Sequence, residues 1–337
     1  MKVLNFGSLN IDMVYAVDHF VRAGETLSSD RLVRFCGGKG LNQSVALARA
    51  GATVLHAGCI GRDGGMLLDL LAASGADTRF VRQLDEASGH AIIQVDKKGQ
   101  NCILLYGGAN LQITEAFADQ VLAACDRGDV LLLQNEINLL PYIVEKAYGR
   151  GMEIALNPSP INDQLGKLPL EKIRYFILNE IEGRELTGEE APEDILREFR
   201  RRYPEAVVVL TLGKSGAVYD DGHTRCRHGI YKVPVVDTTA AGDTFTGFFL
   251  TAATAGMEPE EALRIASVAS SLAVSRQGAA PSIPTMAEVL EADLAPCSGS
   301  CKVLSGLYKA ARDFFTWWGI SGFFIRWLIN KCESFVK

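Results

Sequence analysis

The chain reads as an α/β protein built around a mostly parallel sheet. Three observations lead there. Short apolar runs alternate with amphipathic segments from residue 2 to about residue 290, the pattern of repeated βα units. Glycine follows several of the amphipathic segments closely, as at Gly51, Gly75 and Gly128, which suits helix C-caps. Polar residues stand where apolar runs end, and in open α/β sheets ligands bind outside the carboxyl ends of strands. On that geometry alone Asn10, Asp12, Glu136, Asn157 and Asn179 are site candidates.

Residues 3–7, 53–57, 130–134, 153–157, 175–179 and 207–212 read as buried strands. A further β-branched strand is expected to run through Val235 and Val236. Helical patterns cover residues 41–50, 65–73, 114–124, 141–148, 192–203 and 260–275. Two regions break this rhythm. Residues 12–20 and 29–35 look like strands with little helix between them, and 89–96 with 101–107 reads as a hairpin turning at 97–100. Together they would make a small four-stranded sheet. It is either a lid that excludes water from a reaction or an antiparallel edge extension with no gating role.

At 337 residues the chain is long enough for one large α/β domain or two ordinary ones. A net charge of −6, with lysine and arginine scattered, argues against a nucleic-acid partner. Residues 1–9 read as a first strand without a basic n-region or cleavage motif, so a cytoplasmic protein is expected. Six of the eight cysteines are widely and irregularly spaced, as reduced core thiols would be. Cys297 and Cys301 form a CxxxC pair with no second pair downstream, and the five histidines are dispersed, so a structural zinc site is not expected.

The most informative stretch is residues 235–247, VVDTTAAGDTFTG. Ala240, Ala241 and Gly242 carry almost no side chain, so backbone amides at a helix start can approach a phosphate, aided by the helix dipole. A carboxylate there repels a phosphate, which points to Asp243 as a base that deprotonates the attacking group. The alternative is an ordinary first-turn aspartate. In GGKGLNQ, residues 37–43, three glycines surround Lys39 just before a helix. Such a loop lets a ligand lie on backbone while Asn42 offers a donor and an acceptor to hydroxyl groups, which suits a neutral polyol better than a second phosphate. A flexible connection is the plainer reading.

Asn179 and Glu182, in NEIE at a strand end, offer an amide and a carboxylate for hydrated Mg²⁺, or simply a helix's first turn. The GKS at residues 213–215 fails as a Walker A motif because Val208 stands where that motif needs glycine. TLGKSG, residues 211–216, is left as a nucleotide contact or a hairpin turn. Residues 276–282 leave a helix through glycine, small residues and proline, as a C-cap would.

GGKGLNQ, NEIE, TLGKSG and DTTAAGDTFTG, in this order and spacing, resemble the ribokinase family of carbohydrate kinases over residues 1–292. The resemblance implies a Rossmann-like three-layer α/β/α fold with a small β-sheet lid and an ATP-dependent sugar kinase. GSLNID at residues 7–12 and the AAGD form of the second signature look most like the ribose-phosphorylating members. They imply D-ribose as substrate, phosphorylated at its 5-hydroxyl. A kinase for deoxyribose, another sugar or a nucleoside would share every catalytic residue, and a sugar-sensing pseudokinase is the alternative outside enzymes.

By the same resemblance Asp243 would be the general base, and the amides of Ala240, Ala241 and Gly242 the anion hole. Asn10, Asp12, Gly38, Lys39, Asn42 and Glu136 would hold the sugar. Asn179, Thr211, Gly213, Lys214, Gly216 and Gly242 would line ATP, with Ser267 near the adenine in place of the His or Asn common in the family. Glu182 would act on Mg²⁺ through water, and Asp237, Thr239, Ala273, Arg276, Gly278 and Ser282 match the family's K⁺ site. A homodimer through the lid sheets is a further family expectation.

From residue 293 the sequence changes character. Residues 293–337 carry all three tryptophans and a helical spacing of aromatic residues. Their uncharged stretch, 314–325, is far short of the ~20 residues that span a bilayer. An interfacial or partner-docking helix, a helical pair packed on the body and a passive extension are the readings left open.

Overall fold

The computed structural model describes residues 1–297. Nine strands form one sheet in the order β13-β12-β11-β10-β9-β8-β1-β4-β5. These are β1 (Val3–Phe6), β4 (Val54–Ile60), β5 (Asp77–Gln83), β8 (Val130–Gln134), β9 (Glu153–Asn157), β10 (Tyr175–Asn179), β11 (Val207–Thr211), β12 (Ala217–Asp220) and β13 (Arg225–His228). Pairing is parallel from β11 across to β5, and β12 and β13 are added antiparallel. The six buried strands read from the sequence are all here. β5 and β13 escaped that reading because both are edge or near-edge strands of mixed polarity, DTRFVRQ and RCRH, with no apolar run.

Because successive side chains on a strand face opposite ways, the sheet feeds two cores. Val130 and Leu132 pack into one, Leu131 and Leu133 into the other. The first is closed by α1 (Lys39–Arg49), α2 (Gly65–Ala73), α7 (Ala241–Thr254), α8 (Pro259–Val274) and α9 (Met286–Glu291). The second is closed by α3 (Glu115–Leu122), α4 (Leu140–Gly149) and α6 (Pro192–Arg202), with Leu186 of α5 (Glu180–Thr187) packed at its margin. That is the expected three-layer arrangement. No helix among the described residues is long and apolar enough to cross a membrane.

A second sheet of four strands has the order β3-β2-β6-β7, from β2 (Asn10–Ala16), β3 (Arg31–Gly37), β6 (Gly89–Val95) and β7 (Asn101–Tyr106). These are the two irregular regions of the sequence, joined as expected. Its outer strand β7 is exposed throughout and apolar, with Ile103, Leu104 and Leu105 each more than half exposed.

Strand order reverses between β1 and β8: β4 and β5 follow on one side of β1, β9 to β11 on the other side of β8. Such a switch point opens a crevice at the carboxyl ends of the strands. Ser8 and Glu136 follow those two ends and hydrogen-bond across the crevice. The expected strand at Val235 and Val236 does not form. Both valines are exposed, at 70% and 58%, and the amides of Val236 and Asp237 both donate to the Val274 carbonyl at the end of α8. Pro234 lacks an N–H for a ladder, so the segment is tied to a helix end instead. The packed body continues past residue 292. Lys232 donates to Ala295 and Cys297 to Ile230, at 2.8 Å each. The readings placed on residues 298–337 lie outside the described residues.

α1 and α7 cross closely because α7 carries Gly247 at the contact. A Cβ there would sit 2.5 Å from Ala46 Cβ and 2.8 Å from the Leu47 amide nitrogen. Overpacking of this kind costs about 1–3 kcal/mol. Gly247→Ala is expected to lose that much stability in urea unfolding at unchanged m-value; an unchanged midpoint would show that the contact yields freely.

Candidate active site

Two helix starts meet at the crevice, and their amides are used differently. At α1 they are committed to protein: Lys39 N donates to Glu136 at 3.1 Å, Gly40 N to Ser8 Oγ at 3.2 Å, Leu41 N to the Ser8 carbonyl at 2.9 Å and Asn42 N to the Gly38 carbonyl at 3.0 Å. The glycines make this approach possible. A Cβ on Gly40 would lie 2.3 Å from the Ser8 amide nitrogen, and Gly38, at φ +93°, would bring one 2.9 Å from that of Asn10. Close packing of backbone on backbone accounts for Gly38 and Gly40, while a Cβ on Gly37 would meet the Asp12 carboxylate.

At α7 the amides stay open. Asp237 Oδ1 accepts from Thr239 N at 2.9 Å, a turn follows, and Ala240 takes the left-handed conformation at φ +61°, which costs a non-glycine residue about 1–2 kcal/mol. Ala241 N donates to the Thr238 carbonyl at a long 3.3 Å and Thr244 N to Ala240 at 2.8 Å. The amides of Gly242 and Asp243 find no acceptor among the described residues. A Cβ on Gly242 would meet nothing within 4 Å. Open N–H groups, the positive end of a 14-residue helix and free space before them make an anion site.

Asp243 sits in that first turn, only 7% exposed. Asn42 Nδ2 donates to its Oδ2 at 3.0 Å and Gln43 Nε2 to its Oδ1 at 2.9 Å. Asn42 Oδ1, also buried, has no partner among the described residues. It is an acceptor waiting for a donor such as a hydroxyl.

The remaining polar groups expected to hold a sugar surround the same crevice. Asn10 Oδ1 accepts from Asn110 Nδ2 at 2.7 Å, so Asn110 aims the Asn10 side chain. Burial, then the nearby Glu136 carboxylate, pushes Asp12 up to about 6. Burial also raises Glu136, against the opposing pull of Ser8 and Lys39. Burial by itself would lower the Lys39 ammonium, but the carboxylates of Asp243, Glu136 and Glu182 more than reverse it, so the cation is held. His56, wholly buried, is driven down to about 3 by desolvation and is neutral.

Asn179 and Thr211 are register neighbours at the ends of β10 and β11. NEIE starts a helix with a capping box: Glu182 N donates to Asn179 Oδ1 at 2.9 Å, and Glu182 accepts from Asn179 N and Nδ2 at 3.0 Å each. Each Glu182 oxygen accepts one hydrogen bond within the capping box, an arrangement compatible with a hold on hydrated Mg²⁺ through water. TLGKSG is a hairpin turn between β11 and β12, with Gly213 and Lys214 exposed. Gly216 is buried, and a Cβ would fall 2.0 Å from the His228 carbonyl, so the turn itself requires that glycine. Ser267 is 4% exposed inside α8.

Asp237 Oδ2 accepts from Gly278 N at 3.0 Å and closes the 276–282 turn onto Thr239. Arg276 pairs with Glu288, Ser282 Oγ donates to Ala279, and the Ala273 carbonyl takes Arg276 N. Among the described residues the carbonyls of Thr239, Arg276 and Gly278 accept no hydrogen bond, so with Asp237 they offer oxygen donors suited to a weakly hydrated monovalent cation. Among the described residues no group of three or more His, Cys, Asp or Glu side chains is disposed to hold a metal. Sequence reasoning missed Ser8, Gln43 and Asn110. The first two lie inside quoted motifs, whereas nothing around Asn110 in the sequence marks it.

The pfkB family of carbohydrate kinases matches residues 1–286. Ribokinase of Haemophilus influenzae is 37% identical over 299 residues, 85% of this chain and 96% of that protein. The structure of Arabidopsis thaliana ribokinase complexed with ribose and ATP aligns with a TM-score of 0.76 at 29% identity, over 86% of this chain and 97% of that one. Ribokinase from Cryptococcus neoformans in complex with ADP aligns with a TM-score of 0.74 at 32% identity, over 86% and 98%. With two closed-packed layers on a switched sheet, a four-stranded second sheet and these matches, the chain belongs to the pfkB family of carbohydrate kinases.

Proposed function

We propose that the protein transfers the γ-phosphoryl group of ATP to the 5-hydroxyl of D-ribose, with Asp243 as general base. The observation that carries this reading is the contrast between the two helix starts. One has its amides closed by Ser8 and Glu136 and lies among the polar side chains expected to hold a sugar; the other has open amides beside a buried carboxylate. A neutral hydroxyl compound suits the first and a phosphate the second, which leaves Asp243 between nucleophile and phosphorus.

In this mechanism Asp243 takes the hydroxyl proton as the oxygen attacks. The new P–O bond forms, the bond from the γ-phosphorus to the bridging oxygen breaks, and ADP leaves. Amides of Gly242 and Asp243 donate to the phosphoryl oxygens, and Lys39 adds positive charge. Catalysis of phosphoryl transfer is mostly positioning and charge stabilisation, and losing one preorganised donor typically costs about 2.7–4 kcal/mol in the barrier. Mg²⁺ when bound neutralises phosphate charge, and Glu182 would hold it through water. Asp237 with the carbonyls of Thr239, Arg276 and Gly278 would hold K⁺ and so brace the turn before α7. An intact base and open amides favour an enzyme over a sugar sensor, which needs neither.

Asp243→Ala is expected to abolish sugar-dependent ADP release while nucleotide binding is retained; more than a few per cent of unmodified turnover would refute the base. The Asp12 carboxyl, raised to about 6, is ionised above that pH and protonated below it. If the sugar's hydroxyls donate to the carboxylate, D-ribose affinity falls about tenfold as pH drops from about 7 to about 5. Calorimetry should show this fall, and Asp12→Asn should flatten it; an equally steep profile in the variant would remove Asp12 from the cause.

A further inference from the structure

Beneath the proposed base, buried amides form a chain with a fixed direction. It starts at the Gly40 carbonyl, which can only accept. Asn5 must therefore turn its Nδ2 towards it, at 2.8 Å, and the same Nδ2 reaches Ser44 Oγ at 2.8 Å. This leaves Asn5 Oδ1 facing Gln134, whose Nε2 donates to it at 3.0 Å and also to Gln43 Oε1 at 2.6 Å. With its oxygen taken, Gln43 must point Nε2 the other way, to Asp243 Oδ1 at 2.9 Å and Asn157 Oδ1 at 3.1 Å. Asn157 Nδ2 in turn donates to the Ile177 carbonyl at 2.9 Å.

Three ends of this chain, two carbonyls and a carboxylate, are acceptors with no proton to give and fix its direction; the fourth, Ser44 Oγ, is a hydroxyl paired with His56 Nδ1 at 2.7 Å that accepts from Asn5. Reversing Asn5, Gln134 or Gln43 would set oxygen against oxygen in a region from which water is excluded, since Asn5 and Gln43 are 0% exposed and Gln134 1%. Gln134 gives both its donor contacts to this ordering and leaves its own buried Oε1 without a partner among the described residues. Buried unsatisfied groups are uncommon in native folds. Packing by itself would be better served at this position by an apolar side chain.

We propose that Gln43 is a positioning residue for Asp243, oriented through Gln134 and Asn5; the proposal rests on the reading of Asp243 as the base. With Asn42 on Oδ2 and Gln43 on Oδ1, each oxygen receives one donor. The plane of the carboxylate is fixed, and lone pairs remain for the substrate proton. Gln134 touches neither substrate nor base and acts only by setting which end of the Gln43 amide faces Asp243.

The test uses the full chain with D-ribose and ATP, comparing Gln43→Leu, Gln134→Met, their double variant and Asp243→Ala. Turnover is read by ADP release, D-ribose Kd by calorimetry and folding by circular dichroism. Gln43→Leu should lower kcat about 10- to 100-fold, the range for a hydrogen bond to a charged group, with Kd changed by less than about threefold. Gln134→Met should lower kcat about tenfold, and the double variant should be no slower than Gln43→Leu, because the two act on one path. Turnover of Gln43→Leu within about threefold of the unmodified chain, or losses that multiply in the double variant, would overturn the proposal. Should Gln43→Leu not fold, Gln134→Met and the isosteric Gln43→Glu decide it, full turnover in either being fatal. Normal turnover in Asp243→Ala would instead remove the base reading beneath it, and so separates the two failures.

Discussion

A buried carboxylate needs hydrogen-bond donors of its own, and in this protein α1 supplies them to α7. The dipole of α7 contributes only about 0.3–1 kcal/mol to a first-turn aspartate. Each hydrogen bond to a charged group contributes about 1.5–3 kcal/mol. The bonds from Asn42 and Gln43 to Asp243 therefore outweigh the helix dipole, and the site depends on two helices keeping their spacing more than on either alone.

That spacing constrains much of the surrounding fold. Gly247 lets α7 close on α1, and Gly40 lets α1 close on the link between β1 and β2. The sheet's switch point sets Ser8 and Glu136 opposite one another, and their contacts fill the α1 amides. A helix start whose amides are filled by protein has nothing left for a phosphate. The neighbouring start, strained at Ala240 and open at Gly242, keeps its amides free for an anion.

Much of this was legible in the sequence, for identifiable reasons. Central parallel strands are buried on both faces, so β8 and β10 read as unbroken apolar runs, and their bounds came out as observed. The lid strands were legible through the break in rhythm. The missed β13 has no such run. The expected strand at Val235 and Val236 failed because β-branched residues signal a strand only where a neighbour is available to pair, and here the end of α8 intervenes. In the site, motif residues that carry charge or glycine stood out. Gln43 and Ser8 did not, since their roles come from partners more than 90 residues away, Gln134 and Glu136 for instance. Long-range side-chain pairing leaves no local pattern. Glu182 was visible as two alternatives, and its capping box explains why one short motif fits both.

The proposed function requires one pocket to bring a sugar hydroxyl to Asp243 and a terminal phosphate to the start of α7. A crystal structure with D-ribose and a non-hydrolysable ATP analogue tests it most directly. The primary hydroxyl oxygen is expected within hydrogen-bonding distance of an Asp243 carboxylate oxygen, with the Asn42 and Gln43 bonds retained. The γ-phosphate is expected on the amides of Gly242 and Asp243. A γ-phosphate bound at the start of α1, or a sugar whose hydroxyls all lie away from Asp243, would contradict the proposed function.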